Sequence, residues 1–189
     1  PKMFKFIIFL SLLSLISSSP TTTTITCNYK FALDELKVIQ GEIYECEVIE
    51  NLNVITADEP VSIIGTHLDS TFSSLSVKSL KIVNNSSKLF YFPEEFDFFR
   101  NLQIIRINDV SLLEIHRKDL QTFADLAGLD LHGNKIEYLE TNLFAGNKKL
   151  KSICLVDNKI SYIDPMIRNG LKSLMVVNLS KNKCISKGL

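Results

Sequence analysis

The sequence predicts an α/β solenoid in which short parallel strands stack coil upon coil. Three observations carry that expectation: an apolar pattern that recurs at a nearly fixed interval, a strand-like alternation inside each recurrence, and a single-domain length with balanced charge. The chain has 189 residues, about one domain by length. Its 46% hydrophobic content is too high for a disordered chain. Lys plus Arg equals Asp plus Glu at 21 each, without the basic excess of a nucleic-acid binder.

Five segments align on the template Leu-x-x-Leu-x-Leu-x-x-Asn. They are Val77–Leu80–Ile82–Asn85, Leu102–Ile105–Ile107–Val110, Leu126–Leu129–Leu131–Asn134, Leu150–Ile153–Leu155–Asn158 and Leu174–Val177–Leu179–Asn182. Their starts are 25, 24, 24 and 24 residues apart. Further apolar columns follow at Ile136, Ile160 and Cys184, at Ile115, Leu139 and Ile163, and at Phe96, Leu120, Phe144 and Ile167. Within each segment the two central apolar residues point to one side by period-two alternation. Stacked segments then form a parallel sheet with strands about 4.8 Å apart. One coil cannot bury its apolar side alone, so stability comes from nearest-neighbour stacking.

On these columns the chain resembles the leucine-rich-repeat family from about Val48 to its end. The resemblance implies a right-handed horseshoe arc with strands on the concave face and a mostly irregular or short-helical convex side. It also implies a ladder in which each repeat's Asn bonds backbone groups of neighbouring turns. Val110 replaces Asn in the second repeat, so that repeat is either weaker or its backbone finds other partners. The expected organisation is a leader at 1–19, an N-terminal cap at 20–53, irregular first turns at 54–76 and regular repeats at 77–189.

Lys2 and Lys5 precede an apolar run from Phe6 to Ile16, which ends in Ser17, Ser18 and Ser19. This order is that of a secretory signal peptide, and the run is shorter than the roughly 20 residues that span a bilayer. An uncleaved anchor is the alternative. Thr21 to Thr24 read as a flexible lead-in. A secreted solenoid needs a cap, and its compartment is oxidising, so Cys27 and Cys46 are expected to form a disulfide; two buried thiols are the alternative. This two-cysteine cap resembles that of small secreted insect members. Cys154 falls at an outward strand position and Cys184 at an inward one, which disfavours a bond between them. Either could link a disulfide-bonded or end-to-end oligomer. In the family a Cys placed like Cys184 belongs to a C-terminal cap, so truncation at the C-terminus is an open expectation, as is a short splice form.

The outward strand residues supply the binding candidates on the concave face. They are Lys81, Val83, Ile104, Arg106, Asn108, Asp130, His132, Cys154 and Val156, with Arg106 and Asp130 placed to pair across adjacent strands. Asn84, Asn85 and Asn178 lie in Asn-x-Ser sequons for N-glycosylation. No catalytic, cofactor or metal motif appears. His116-Arg117-Lys118-Asp119 has neither the spacing nor the partners of a kinase catalytic loop. The resemblance therefore implies a secreted, non-enzymatic protein that binds a protein or glycan, in insect innate immunity. The alternative is the N-terminal fragment of a cell-surface receptor of the Toll or neuronal-adhesion kind.

Overall fold

The computed structural model describes residues 22–84 and 86–183. The expected leader, Asn85 and Cys184 lie outside the described residues. Eleven strands appear: β1 Thr23–Thr26, β2 Asn28–Leu33, β3 Glu42–Val48, β4 Asn53–Val54, β5 Val61–Ile64, β6 Ser79–Val83, β7 Lys88–Leu89, β8 Ile104–Asn108, β9 Gly128–Asp130, β10 Ser152–Cys154 and β11 Val176–Asn178. The convex side carries one helical turn, α1 Arg117–Leu120, and 3-10 turns at Ser74–Ser76, Glu94–Phe98 and Pro165–Arg168. Among the described residues no helix is long and apolar enough to cross a membrane.

The main sheet runs β11-β10-β9-β8-β6-β3-β2. Every pairing in it is parallel except the β2–β3 hairpin. Its register puts Leu80, Ile105, Leu129, Ile153 and Val177 in one row, the apolar column read from the repeat. Cys46 and Val48 of β3 continue that row and the next, opposite Leu80 and Ile82. The array therefore begins one strand earlier than the regular repeats, inside the stretch read as cap, where a cysteine stands in a leucine's place.

Between strands the stacking is carried by backbone hydrogen bonds with the same period. The carbonyl of Lys78 accepts from Gln103 and Ile104, that of Gln103 from Ala127 and Gly128, that of Ala127 from Lys151 and Ser152, and that of Lys151 from Met175 and Val176. After each strand the chain turns through a left-handed residue, at Asp109, Gly133, Asp157 and Lys181. Such a turn disfavours residues with a Cβ, yet three of these four positions carry one; Gly133, Asp157 and Lys181 are followed directly by the asparagine column, and Asp109 by Val110.

That column lies inside the coils. The Asn134 amide donates to the carbonyls of Ile107, Leu131 and His132, while its oxygen accepts from the Val110 and Leu112 amides. Asn158 binds Leu131, Leu155 and Val156 carbonyls and the Ile136 amide in the same way. Asn182 repeats the pattern with Leu155, Leu179, Ser180 and Ile160. Where Val110 interrupts the column, the preceding coil has found other partners. Ser86 N–H donates to the Asn84 side chain, and Lys88 N–H donates to the Leu52 carbonyl. Val110 itself is fully buried among apolar neighbours.

On the convex side Phe96, Leu120, Phe144 and Ile167 are all buried, as the fourth column implies. Three residues after the first three stand Phe99, Phe123 and Asn147, also fully buried. Asn147 replaces an aromatic ring there and donates to the Leu120 and Phe123 carbonyls at 2.8 and 2.9 Å. It forms a second interior polar clamp that the repeat alignment had missed.

The N-terminal end is closed by chemistry of a different kind. Cys27 and Cys46 form a disulfide with their Cα atoms 5.0 Å apart. A loop of this size constrains the unfolded chain by about 3 kcal/mol in the chain-entropy account. Tyr29, Tyr44, His67 and Phe72 stack beside it, with ring centroids 4.1 Å apart for Tyr29–His67 and 4.5 Å for Tyr44–Phe72. Thr23 and Thr24 are not a flexible lead-in: they belong to β1, which pairs in parallel with β5 and buries Ile25.

Asn134→Ala leaves five backbone and side-chain bonds unmade inside the coils and should cost on the order of 3 kcal/mol in denaturant unfolding. Val110→Asn should bring no stabilisation, because the Ser86 and Lys88 amides that it would serve already have acceptors. A gain from Val110→Asn in the same measurement would contradict this reading of the ladder.

Candidate binding surface

The concave face is built from the outward residues of β6, β8, β9, β10 and β11, and its middle is already occupied at the entry ends of β8 and β9. The connection between β2 and β3, residues 34–41, folds over the entry ends of these strands. Asp34 shapes it: its carboxylate accepts from the amides of Leu36, Val38 and Ile39 at 2.9, 2.6 and 2.8 Å. Lys37 and Gly41 take left-handed conformations that let the chain double back. Leu36, Val38 and Ile39 then pack with Ile43, Ile104 and Ala127 in a small apolar cluster separate from the main core. Lys151 Nζ donates to the Val38 carbonyl at 2.9 Å and fastens the far side of this strap. Gly128 makes the approach possible, because a Cβ there would lie 2.8 Å from Leu36 and 3.1 Å from Val38.

Beneath the strap lies a buried ion pair. Arg106 Nη2 meets Glu45 Oε2 at 2.5 Å, with the two side chains 2% and 1% exposed. Ser79 Oγ donates to the same carboxylate oxygen at 2.7 Å. Glu35, on the strap, stands 3.7 Å from Arg106 Nη1. Arg106 Nε and Nη1 have no hydrogen-bond partner, so the guanidinium is incompletely satisfied. Removing one member of such a pair leaves the other as an uncompensated buried charge.

This arrangement corrects several expectations from the sequence. Ile104 is fully buried under the strap and offers no contact area. Arg106 pairs with Glu45 rather than Asp130 and is inaccessible. Asn108 and Asp130 are buried too, bonded to each other through Asn108 Nδ2 and Asp130 Oδ2 at 3.3 Å. Leu36, Val38 and Ile39, read as cap residues, belong to the concave face. Glu45, Asp34 and Glu35 were not singled out at all. Glu45 meets Arg106, 61 residues on, and Glu35 meets Lys81, 46 residues on, separations no local pattern reveals, whereas Asp34 binds amides only two to five residues away.

What remains open lies towards the exit ends of the strands. Val83 is exposed, and His132, Cys154 and Val156 are partly exposed. Asn178 and Ser180 continue these rows on β11 and beyond it, exposed. Lys81 sits at the strap's edge, 3.2 Å from Glu47 and 3.4 Å from Glu35. Burial pushes the Lys81 ammonium down, but hydrogen bonding to Glu47 and the nearby Glu35, Glu47 and Glu45 charges outweigh it and raise its pKa. Burial likewise pushes the Glu47 carboxyl up, and hydrogen bonds and charge from Lys30 and Lys81 outweigh it, holding the carboxyl below its usual range.

The other marked residues have structural roles. His116 precedes α1 and its amide donates to Asp119 Oδ2 at 2.7 Å, so the His-Arg-Lys-Asp stretch is a helix cap on the convex side. Burial raises the Asp119 pKa. Of the sequons, Asn84 is engaged: its amide nitrogen contacts Asn51 Oδ1 at 2.7 Å. Asn178 is exposed, and its side-chain oxygen accepts from Ser180 N and Oγ.

Two outcomes follow. Gly128→Val drives a branched side chain into Leu36 and should release the strap, seen as faster tryptic cleavage at Lys37 in the folded protein; an unchanged cleavage rate would contradict the packing. Glu47 has a lowered folded pKa, so its contribution is present above the ordinary Glu value of about 4.3 and is lost as pH falls through the folded value. Melting of Glu47→Gln should therefore depend less on pH across that acid window than melting of the unaltered protein.

Residues 100–160 match the family described as Leucine rich repeat. No curated protein matches the chain. Among solved structures, an internalin from Listeria monocytogenes superimposes with a TM-score of 0.50 at 21% identity, covering 68% of this chain and 36% of its own. A chain of the octameric complex of Latrophilin 3, Unc5D and FLRT2 gives a TM-score of 0.47 at 20% identity, covering 60% and 41%. The chain thus spans little more than a third of the internalin's length. With its 24-residue coils, its interior asparagine column and its parallel concave sheet, the chain is a leucine-rich-repeat solenoid.

Proposed function

We propose that this solenoid is a secreted, non-enzymatic binding protein that presents the exit half of its concave face to a protein or glycan. The observation that carries the reading is the division of that face. The strap covers the entry ends of β8 and β9, while His132, Cys154, Val156, Asn178 and Ser180 stand open on a rigid parallel scaffold. The open part mixes apolar, amide, hydroxyl and imidazole groups, a composition suited to recognition. A disulfide in the cap and the leader-like first residues both support an oxidising, extracellular setting. The resemblance of the short cap to small secreted insect proteins points to innate-immune recognition as the use.

A glycan on Asn178 would narrow the accessible part to the rows through His132 and Val156. Val156→Arg should therefore abolish retention of a partner from panels of purified proteins and immobilised glycans, by tenfold or more in affinity. Gln121→Arg, on the convex side, should leave it unchanged. Equal retention by both variants, or loss only with the convex change, would overturn the assignment of the surface.

A further inference from the structure

We infer that Asp130, His132 and Cys154 form a zinc-class metal site on the concave face. Asp130 and Cys154 are register partners on the neighbouring strands β9 and β10. His132 lies two residues beyond Asp130, on the same face by period-two alternation. One carboxylate oxygen, one ring nitrogen and the Cys154 sulfur all lie within 4.8 Å of one another. Donors in a tetrahedral zinc site sit about 2.0–2.3 Å from the metal, hence roughly 3.3–3.8 Å from each other. Small side-chain rotations bring these three to that spacing. A set of one thiolate, one imidazole and one carboxylate suits a borderline-soft divalent ion and poorly suits magnesium or calcium, which prefer all-oxygen shells.

The surroundings are those of a ligand set rather than of a simple histidine–carboxylate contact. His132 Nδ1 faces Asp130 Oδ1 at 3.0 Å, and its other nitrogen, Nε2, lies 3.5 Å from Asp109 Oδ2. A metal held through Nδ1 leaves Nε2–H to donate to Asp109, the outer-shell arrangement that orients metal-bound imidazoles. Asp109 sits at a left-handed turn, and Gly133 leaves room for its carboxylate, since a Cβ there would lie 1.9 Å away. Asp130 Oδ2 accepts from Asn108, and Oδ1 accepts from the His132 backbone amide at 3.2 Å, which together hold the carboxylate with Oδ1 beside the ring nitrogen and a second lone pair for the ion. Cys154 is a free cysteine, partly exposed, and His132 is 40% exposed on its side chain, so an ion can enter and a fourth position faces solvent. Binding converts the Cys154 thiol to a thiolate, with its proton released to solvent as the sulfur–metal bond forms. No oxidation state changes.

The test uses the metal alone and is independent of any macromolecular partner. Cobalt(II) added to the full chain is expected to bind one to one and give a thiolate-to-cobalt charge-transfer band that zinc quenches by displacement. Cys154→Ser should remove the band, and Cys184→Ser should keep it. His132→Ala should weaken binding by tenfold or more, and Asp109→Asn by about tenfold, the effect typical of an outer-shell partner. Far-ultraviolet dichroism and the melting temperature, unchanged in Cys154→Ser, show that the coil is intact. A band missing from the unaltered protein, or one that survives Cys154→Ser, would overturn the site.

Discussion

The whole structure depends on satisfying the backbone polar groups that face the interior where each coil leaves its strand. Each coil turns out of its strand through a left-handed residue and leaves amides and carbonyls facing the interior. An unpaired buried group of this kind costs as much as a lost hydrogen bond or more. Asn134, Asn158 and Asn182 meet that need by bridging each coil to the one before it. Asn147 does the same on the convex side. Apolar columns fill the remaining space, and together they make stacking specific to a 24-residue step.

Because stacking is one-dimensional, the first coil has an open side. The cap closes it with the Cys27–Cys46 disulfide and an aromatic stack. The cap also does something the stacking does not demand: it sends residues 34–41 across the concave sheet. The strap buries Arg106 with Glu45, at a desolvation cost that their close pairing, the Ser79 hydroxyl and the nearby Glu35 charge offset. Gly128 and Ile104 receive its apolar side chains. The open part of the concave face is consequently smaller than the sheet and displaced towards the turns.

That displacement brings the turn residues into play. Asp109 and Gly133 serve the backbone geometry of consecutive coils, and the same geometry sets a carboxylate beside His132. A position needed for folding and a position available for chemistry are thus neighbours, as expected where the strands of the concave face end.

The repeat, its period, the inward columns and the asparagine ladder were legible in the order of residues alone. Those features are local and recur, so periodicity reveals them. The sequence also carried the disulfide candidates, Cys27 and Cys46, because the cap needs them and few other cysteines exist. Val110 showed the reverse limit: the gap was legible, but its repair through Asn84 and Leu52 was not. Which outward residues are exposed emerged from the folded arrangement, since the strap is a single, non-repeating segment whose contacts reach Lys151. The same arrangement decided that Asp130, His132 and Cys154 meet. Their sequence spacing forms no recognisable chelate; the register between adjacent parallel strands brings one coil's side chains beside the next.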